Sequence, residues 1–264
     1  MTEVLELAEV CEKASRAGGK VLSRWSGHFE VREKAPDDLV TEVDLASQKA
    51  IVDVLHSAFP DHGILAEESL DVPAGKDGFR WIVDPLDGTL NFVHGLPNYC
   101  VSVAVEQQDT VLAGTVFDPV TGACYTARRG GGAMLDGQAL HVSRTEKLSQ
   151  AMVAASFPPR VRRGMIEIDQ FIDAVVRTRG IRRMGSAALN LCHLAAGRFD
   201  AYWATETHAW DIAAGMLLVE EAGGVFTDLQ GEKVDLDHPK FVAAATPELH
   251  GELLEMLNRP TENE

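Results

Sequence analysis

The stretch from Trp81 to Phe92, WIVDPLDGTLNF, restricts the fold more than any other part of the chain. Trp81, Ile82 and Val83 form a short apolar run that predicts a buried strand, with Asp84 at its end. Pro85 has a fixed φ and no N–H, so it is expected to stop the ladder there. Asp87 and Gly88 predict a tight turn, because glycine enters positive φ freely, and Thr89 stands where a short helix would open. Two carboxylates, a bared backbone and a hydroxyl thus gather at one strand end. Oxygen ligands of this kind suit hard cations, and a helix N-terminus accepts phosphate. A loop whose carboxylates only cap its own turns is the alternative for this stretch taken alone.

A chain of 264 residues with 45% hydrophobic content can bury a large core. We expect one domain over residues 1–264, with two lobes meeting near 157–164, where FPPRVRRG is rich in breakers. No apolar run reaches membrane-spanning length, and the start MTEVLELAEVCEKA lacks the basic residues and apolar block of a secretory signal. Cys11, Cys100, Cys124 and Cys192 are scattered without a CxxC pair, as reduced packing thiols of a cytoplasmic protein would be. Net charge is −16, from 40 acidic and 24 basic residues, which disfavours direct contact with nucleic acid or anionic membrane. A phosphate-bearing substrate would meet the same repulsion unless bound divalent cations removed it locally.

Apolar spacing predicts an amphipathic helix from Thr2 to Trp25, a strand from His28 to Glu33 and a second helix from Thr41 to Phe59. Gly63 to Ala66 reads as a strand, and Ser69 to Gly78 as an exposed loop. Strands follow at Tyr99–Glu106, Val111–Phe117, Ala123–Ala127 and Ala133–Leu135, then at Ala151–Ser156. A polar helix over Met165–Arg179, a strand at Ile181–Arg183 and a helix over Ser186–Ala196 come next. The remainder reads strand Phe199–Ala204, helix Trp210–Ala222, strands Val225–Asp228 and Phe241–Ala245, and helix Pro247–Leu257. Such mixing predicts a layered α/β or α+β architecture.

Acidic residues recur at the ends of these elements. Glu67 and Glu68 follow one strand, Asp84 and Asp87 another, while Asp44 and Asp211 lie in opening helical turns. Taken singly, each has a plain explanation as a solvated pair or a first-turn helix charge.

Together they form a known pattern. The chain resembles the inositol monophosphatase family of magnesium-dependent, lithium-sensitive sugar and polyol phosphatases. The resemblance is carried by WIVDPLDGTLNF at 81–92 and WDIAAGMLLVEEAGG at 210–224, with DLVTEVD at 38–44, AEES at 66–69 and GSAALN at 185–190. It implies an α+β fold, a layered αβαβα sandwich. It further implies that Glu67, Asp84, the Leu86 carbonyl, Asp87 and Asp211 hold about two or three Mg2+ ions. Thr89 paired with Asp44 would orient and help deprotonate the attacking water, with Glu68 as a supporting base or a ligand of the weaker metal. Backbone N–H groups of Gly88 and Thr89 would hold the phosphate, and Gly185, Ser186 and Ala187 would contact the sugar or polyol along with Asp211.

Departures from the family pattern concern the substrate. Members that prefer inositol phosphate place a glutamate seven residues before the aspartate of the second motif; here that position is Ala204. Glu206 is expected to substitute if the strand continues, since it would point to the same side. Ala66 stands where glycine usually precedes the Glu-Glu pair. Histidinol phosphate, a fructose bisphosphate, glycerol 2-phosphate or a 3′,5′-nucleotide bisphosphate therefore stay open beside inositol 1-phosphate. The resemblance also implies a homodimer, and a regulatory role in transcription complexes as the reading from another class. His94, His208 and the run Arg160, Arg162, Arg163 read as surface, capping or loop residues, and Lys34 as near the metal site only if the local spacing shifts.

Overall fold

Side chains one residue apart on a strand face opposite ways, and here the runs 79–87, 100–107, 201–204 and 241–244 are buried on both faces, so the sheets they form need cover on two sides. The computed structural model describes residues 2–25, 31–35, 38–158 and 160–259, with the side chains of 31–41 set apart from that description. Lys34 as a site residue and the first half of the strand expected at His28–Glu33 lie outside the described residues.

The chain opens with helix α1 (Thr2–Trp25), a ribbon of β1 (Val31–Ala35) and β2 (Asp38–Thr41), and helix α2 (Glu42–Ala58). Strands β3 (Gly63–Ala66), β4 (Leu70–Val72) and β5 (Phe79–Asp87) lead to the short helix α3 (Thr89–Val93). A meander follows: β6 (Cys100–Gln107), β7 (Thr110–Phe117), β8 (Cys124–Arg128), β9 (Gly132–Leu135) and β10 (Gln138–Ala139). Beyond it come β11 (Met152–Ser156), α4 (Ile166–Arg177), β12 (Gly180–Arg182), α5 (Ala187–Ala195) and β13 (Ala201–Ala204). Helix α6 (Ala209–Glu221), strands β14 (Val225–Thr227) and β15 (Phe241–Ala244), and helix α7 (Pro247–Leu257) complete it.

Eight strands form one sheet in the order β10-β9-β8-β7-β6-β5-β3-β4, and five form another in the order β12-β11-β13-β15-β14. Trp81, Val83, Val101, Val103 and Val105 meet Leu7, Leu22, Ile51 and Leu55 of α1 and α2 on the outer side of the large sheet. Ile82 and Ala104 face the other way, into a central core with Leu191 and Leu194 of α5 and Leu217 and Leu218 of α6. The small sheet repeats the division: Tyr202 and Phe241 enter the central core, while Ala201, Trp203 and Val242 pack on Leu249, Leu253 and Met256 of α7. Each such aliphatic side chain contributes roughly 1.5–3 kcal/mol by leaving water. The layers are therefore helix, sheet, helix, sheet, helix, the αβαβα sandwich implied by the motifs.

Two differences from the expected elements matter. Pro85 does not end its strand: the ladder pairs Asp84 with Ser102, skips through a bulge, and resumes with Asp87 opposite Cys100. A bulge leaves one residue unpaired, so proline's missing N–H costs nothing there. The segment Ser69–Gly78 is not all loop, because β4 pairs antiparallel with β3. Its partner supplies the ladder that a polar three-residue sequence does not announce.

Candidate active site

Register brings the acids together. β3 and β5 run parallel with Ala66 beside Val83, so both strands release their carboxylates at the same edge. The Glu67 N–H donates to the Val83 carbonyl at 3.2 Å, which sets Glu67 next to Asp84. Ser102, opposite Asp84, donates its hydroxyl to the Trp210 carbonyl at 3.4 Å, and that contact draws the first turn of α6 and Asp211 to the same place.

Asp84 is 2% exposed and Asp87 8%. The Asp84 carboxylate accepts the Leu86 N–H at 3.0 Å, closing the bulge, and shares a hydrogen bond with Glu67. Burial, and then the neighbouring charges of Glu67, Asp87 and Asp211, push its pKa well above the usual carboxylate range. Asp87 reaches across to the other half of the chain. It accepts the Ser186 hydroxyl at 2.5 Å and the N–H groups of Ala187 and Ala188 at 3.1 and 2.8 Å, so it sits as an anion at the N-terminus of α5. Burial and Asp211 push its pKa up to about 6, against the lowering by Ser186, Ala188 and Ala187. Asp211 closes a capping box: it accepts the His208 N–H at 2.7 Å at the start of α6. His208 itself is exposed and stacks on Trp210 with ring centroids 4.7 Å apart, as a capping residue.

The other named residues fall around this cluster. Thr89 opens α3; its hydroxyl lies 3.4 Å from Asp44 Oδ1 and donates to the Leu86 carbonyl at 3.1 Å. Asp44 is fully buried in the first turn of α2, and Glu68 is 9% exposed. Gly88 and Gly185 both take left-handed backbone, φ +94° and +82°. A Cβ on Gly88 would meet the Asn98 carbonyl at 2.9 Å, and one on Gly185 the Asn91 amide at 2.9 Å. Any other residue would be strained there and would part the α3 loop from the 184–186 segment. Glu206 lies two residues past the end of β13. β13 ends at Ala204, so the strand that would carry Glu206 to the side of Ala204 does not continue. Glu206 instead borders a groove of 580 Å³ with Arg160, Met165, Glu167, Thr205 and Lys240, and Ala204 faces the central core. His94 caps the end of α3.

Three residues around the acids escaped the sequence reading. Ser47 and Gln48 of α2 bond the main chain of Pro85 and Glu68. Asn91 donates to the carbonyls of Asn98 and Met184 at 2.8 and 2.9 Å, tying α3 to the segment before Gly185. A polar signal was present, for Asp44, Ser47 and Gln48 share one helix face with Ile51 and Leu55.

What the arrangement can hold follows from its donors. All are carboxylate or carbonyl oxygens, and among the described residues no Lys or Arg pairs with Asp84 or Asp87. Nor do three acidic, His or Cys side chains already form a closed cage among the described residues, since Asp87 and Asp211 are turned onto helix starts. Buried like charges with oxygen-only donors fit a hard divalent cation and exclude a soft-metal site. All four cysteines are free and buried, and burial raises the Cys100 thiol beside Asp87, so no thiolate nucleophile is on offer.

A family model for the inositol monophosphatase family matches residues 2–262. The chain is 39% identical over 262 residues to the inositol-1-monophosphatase of Rhizobium meliloti (strain 1021), covering 96% of this chain and 97% of that protein. It is 38% identical over 250 residues to the Nus factor SuhB of Pseudomonas aeruginosa, covering 91% and 92%. A solved structure of an IMPase/NADP phosphatase complexed with Mg2+ and phosphate superposes with a TM-score of 0.87 at 27% identity, covering 98% of this chain and 97% of that one. Motifs, strand-end acids and layered sandwich thus agree with relatives matched from end to end, and the chain belongs to the inositol monophosphatase family of phosphoric monoester hydrolases.

Proposed function

We propose that the protein is a magnesium-dependent phosphomonoesterase for a small sugar or polyol phosphate, with water as the direct nucleophile. The observation that carries this is the meeting of Glu67, Asp84, Asp87 and Asp211 at one edge of the large sheet, where Asp84 and Asp87 are buried and burial together with neighbouring carboxylates raises both their pKa values. Glu67, Asp84, the Leu86 carbonyl, Asp87 and Asp211 are the residues that would hold the cations. When bound, divalent ions supply the positive charge that a phosphoryl group needs and lower the pKa of water. Thr89 orients the attacking water through its hydroxyl, and Asp44, 3.4 Å away, takes up the proton that Thr89 relays. Glu68 supports this pair as a base. The N–H groups of Gly88 and Thr89 face the phosphate, while Ser186, Ala187 and Gly185 border the leaving group. Positioning and charge are nearly all that phosphoryl transfer asks of a protein.

Among substrates, inositol 1-phosphate is favoured by the Rhizobium meliloti relative and disfavoured by Ala204. The test is phosphate release with Mg2+, and with chelator, from inositol 1-phosphate, histidinol phosphate, fructose 1,6-bisphosphate and adenosine 3′,5′-bisphosphate. Turnover by the native chain that disappears in Asp87→Asn supports the reading; turnover that survives chelator and mutation rejects it. Lithium should inhibit by competing for a cation position. We expect a homodimer, and light scattering on a size-exclusion column giving monomer mass alone would remove that expectation.

A second reading is favoured by the relative named a Nus factor. It gives the protein a regulatory place in a transcription complex, and the net charge of −16 directs such contact to protein rather than RNA. Capture of a transcription factor, unchanged by Asp87→Asn, would support it beside the catalytic role.

A further inference from the structure

Asp44, Ser47 and Gln48 stand at i, i+3 and i+4 of α2 and so share one face of the helix. That face touches three separate segments of the site. Asp44 lies 3.4 Å from the Thr89 hydroxyl, Ser47 donates its hydroxyl to the Pro85 carbonyl at 2.8 Å, and Gln48 holds Glu68 from both sides. The Glu68 N–H donates to Gln48 Oε1 at 3.1 Å, and Gln48 Nε2 donates to the Glu68 carbonyl at 3.2 Å.

We propose that Ser47 and Gln48 are positioning residues for the reaction, setting the spacing between the Glu67–Glu68 strand end and the 84–87 bulge that divalent-ion binding demands. The inference rests on the reading that these acids hold cations. Ser47 and Gln48 grip main chain, so they fix where the backbone lies whatever side chains it bears. Both gripped places lack ordinary ladder support. Pro85 sits in the bulge between Asp84 and Asp87, and Glu68 sits in the turn between β3 and β4, beside Ser69 with its left-handed φ of 56°. The helix supplying the grip is itself anchored, since Ile51 and Leu55, one and two turns further on, are fully buried in the outer core. Mg2+ demands near-ideal octahedral oxygens at about 2.0–2.1 Å, so a slip of a few tenths of an ångström between β3 and β5 would weaken binding.

The experiment is a Mg2+ binding isotherm by calorimetry on the full chain, with thermal unfolding of the same samples. The proteins are the native chain, Gln48→Met, Ser47→Ala and Ile51→Val. Gln48→Met is expected to weaken Mg2+ binding by about 10–100-fold, the usual effect of losing a partner that orients ligands, with a smaller loss for Ser47→Ala. Ile51→Val should lower the melting temperature and leave the isotherm in place. If Gln48→Met fails to fold, Ser47→Ala decides. Melting temperatures that fall in both polar variants with an unchanged isotherm would make these residues merely structural and overturn the proposal. A native chain that binds no Mg2+ would overturn the cation reading itself, and the inference with it.

Discussion

The two ends of β5 handle buried charge in opposite ways. At its start, Arg80 lies in register with Glu106 of β6 and the pair meets at 2.7 Å, with the Glu106 side chain 4% exposed. At its end, Asp84 is as deeply buried but pairs in register with Ser102, and its charged neighbours are Glu67, Asp87 and Asp211. A carboxylate taken out of water without a cation costs several kcal/mol. The first acid brings its guanidinium and belongs to the architecture. Asp84 and Asp87 have no Lys or Arg partner among the described residues, and on the cation-binding reading bound divalent ions would supply the compensating charge, with stability given up at that edge for binding.

The contrast can be broken at either end. The largest expected effect is on turnover. Asp84→Asn should lower kcat/KM on the order of 10³-fold or more, several kcal/mol of lost transition-state stabilisation, while Glu106→Gln stays within a few-fold of the native chain. Equal losses in the two variants, measured by phosphate release, would erase the distinction. Next in size is stability: Arg80→Met strands a buried carboxylate and should cost about 2–4 kcal/mol in urea unfolding, with turnover unchanged. An unaltered midpoint would mean that the pair contributes nothing.

A smaller effect concerns pH. In metal-free protein the Asp87 pKa is raised to about 6, above its value in the unfolded chain, so the folded state keeps a proton that the unfolded state has lost. This stabilisation is complete below the unfolded pKa and disappears as pH rises through the folded one. Urea midpoints in chelator should therefore decline from about pH 4 to about pH 6 through this group. His250 works with the opposite sign: burial beside Thr227 lowers its pKa, and the stability it leaves intact above its unfolded pKa is lost as pH falls. In Asp87→Asn the decline should shrink to what Asp84 contributes, with the His250 trend unchanged; an undiminished decline in that variant would deny Asp87 its part.

Much of this was legible in advance. The bounds of α1 and α7 follow from apolar spacing, and in the structure Thr246 caps α7 ahead of Pro247. The acids at strand ends were legible because they interrupt apolar runs. The bulge was not, because proline marks only a missing N–H, and whether a ladder stops or skips depends on the partner strand. Gln48 escaped for a related reason: its partners are main-chain groups of a segment 20 residues away, and no side-chain pattern records them. Glu206 was placed by alternation along a strand, and alternation holds only as far as the ladder does; it ends at Ala204.

The most direct test of the central idea is thermal unfolding of the native chain and Asp84→Asn, each in chelator and in Mg2+. Removing one of several crowded buried charges should raise the melting temperature of the metal-free protein. Saturating Mg2+, at about 100 times its Kd, should stabilise the native chain by about 2.7 kcal/mol and the variant far less. If Asp84→Asn instead melts lower in chelator and keeps the full Mg2+ shift, Asp84 is a structural acid like Glu106, and the strand end is no cation site.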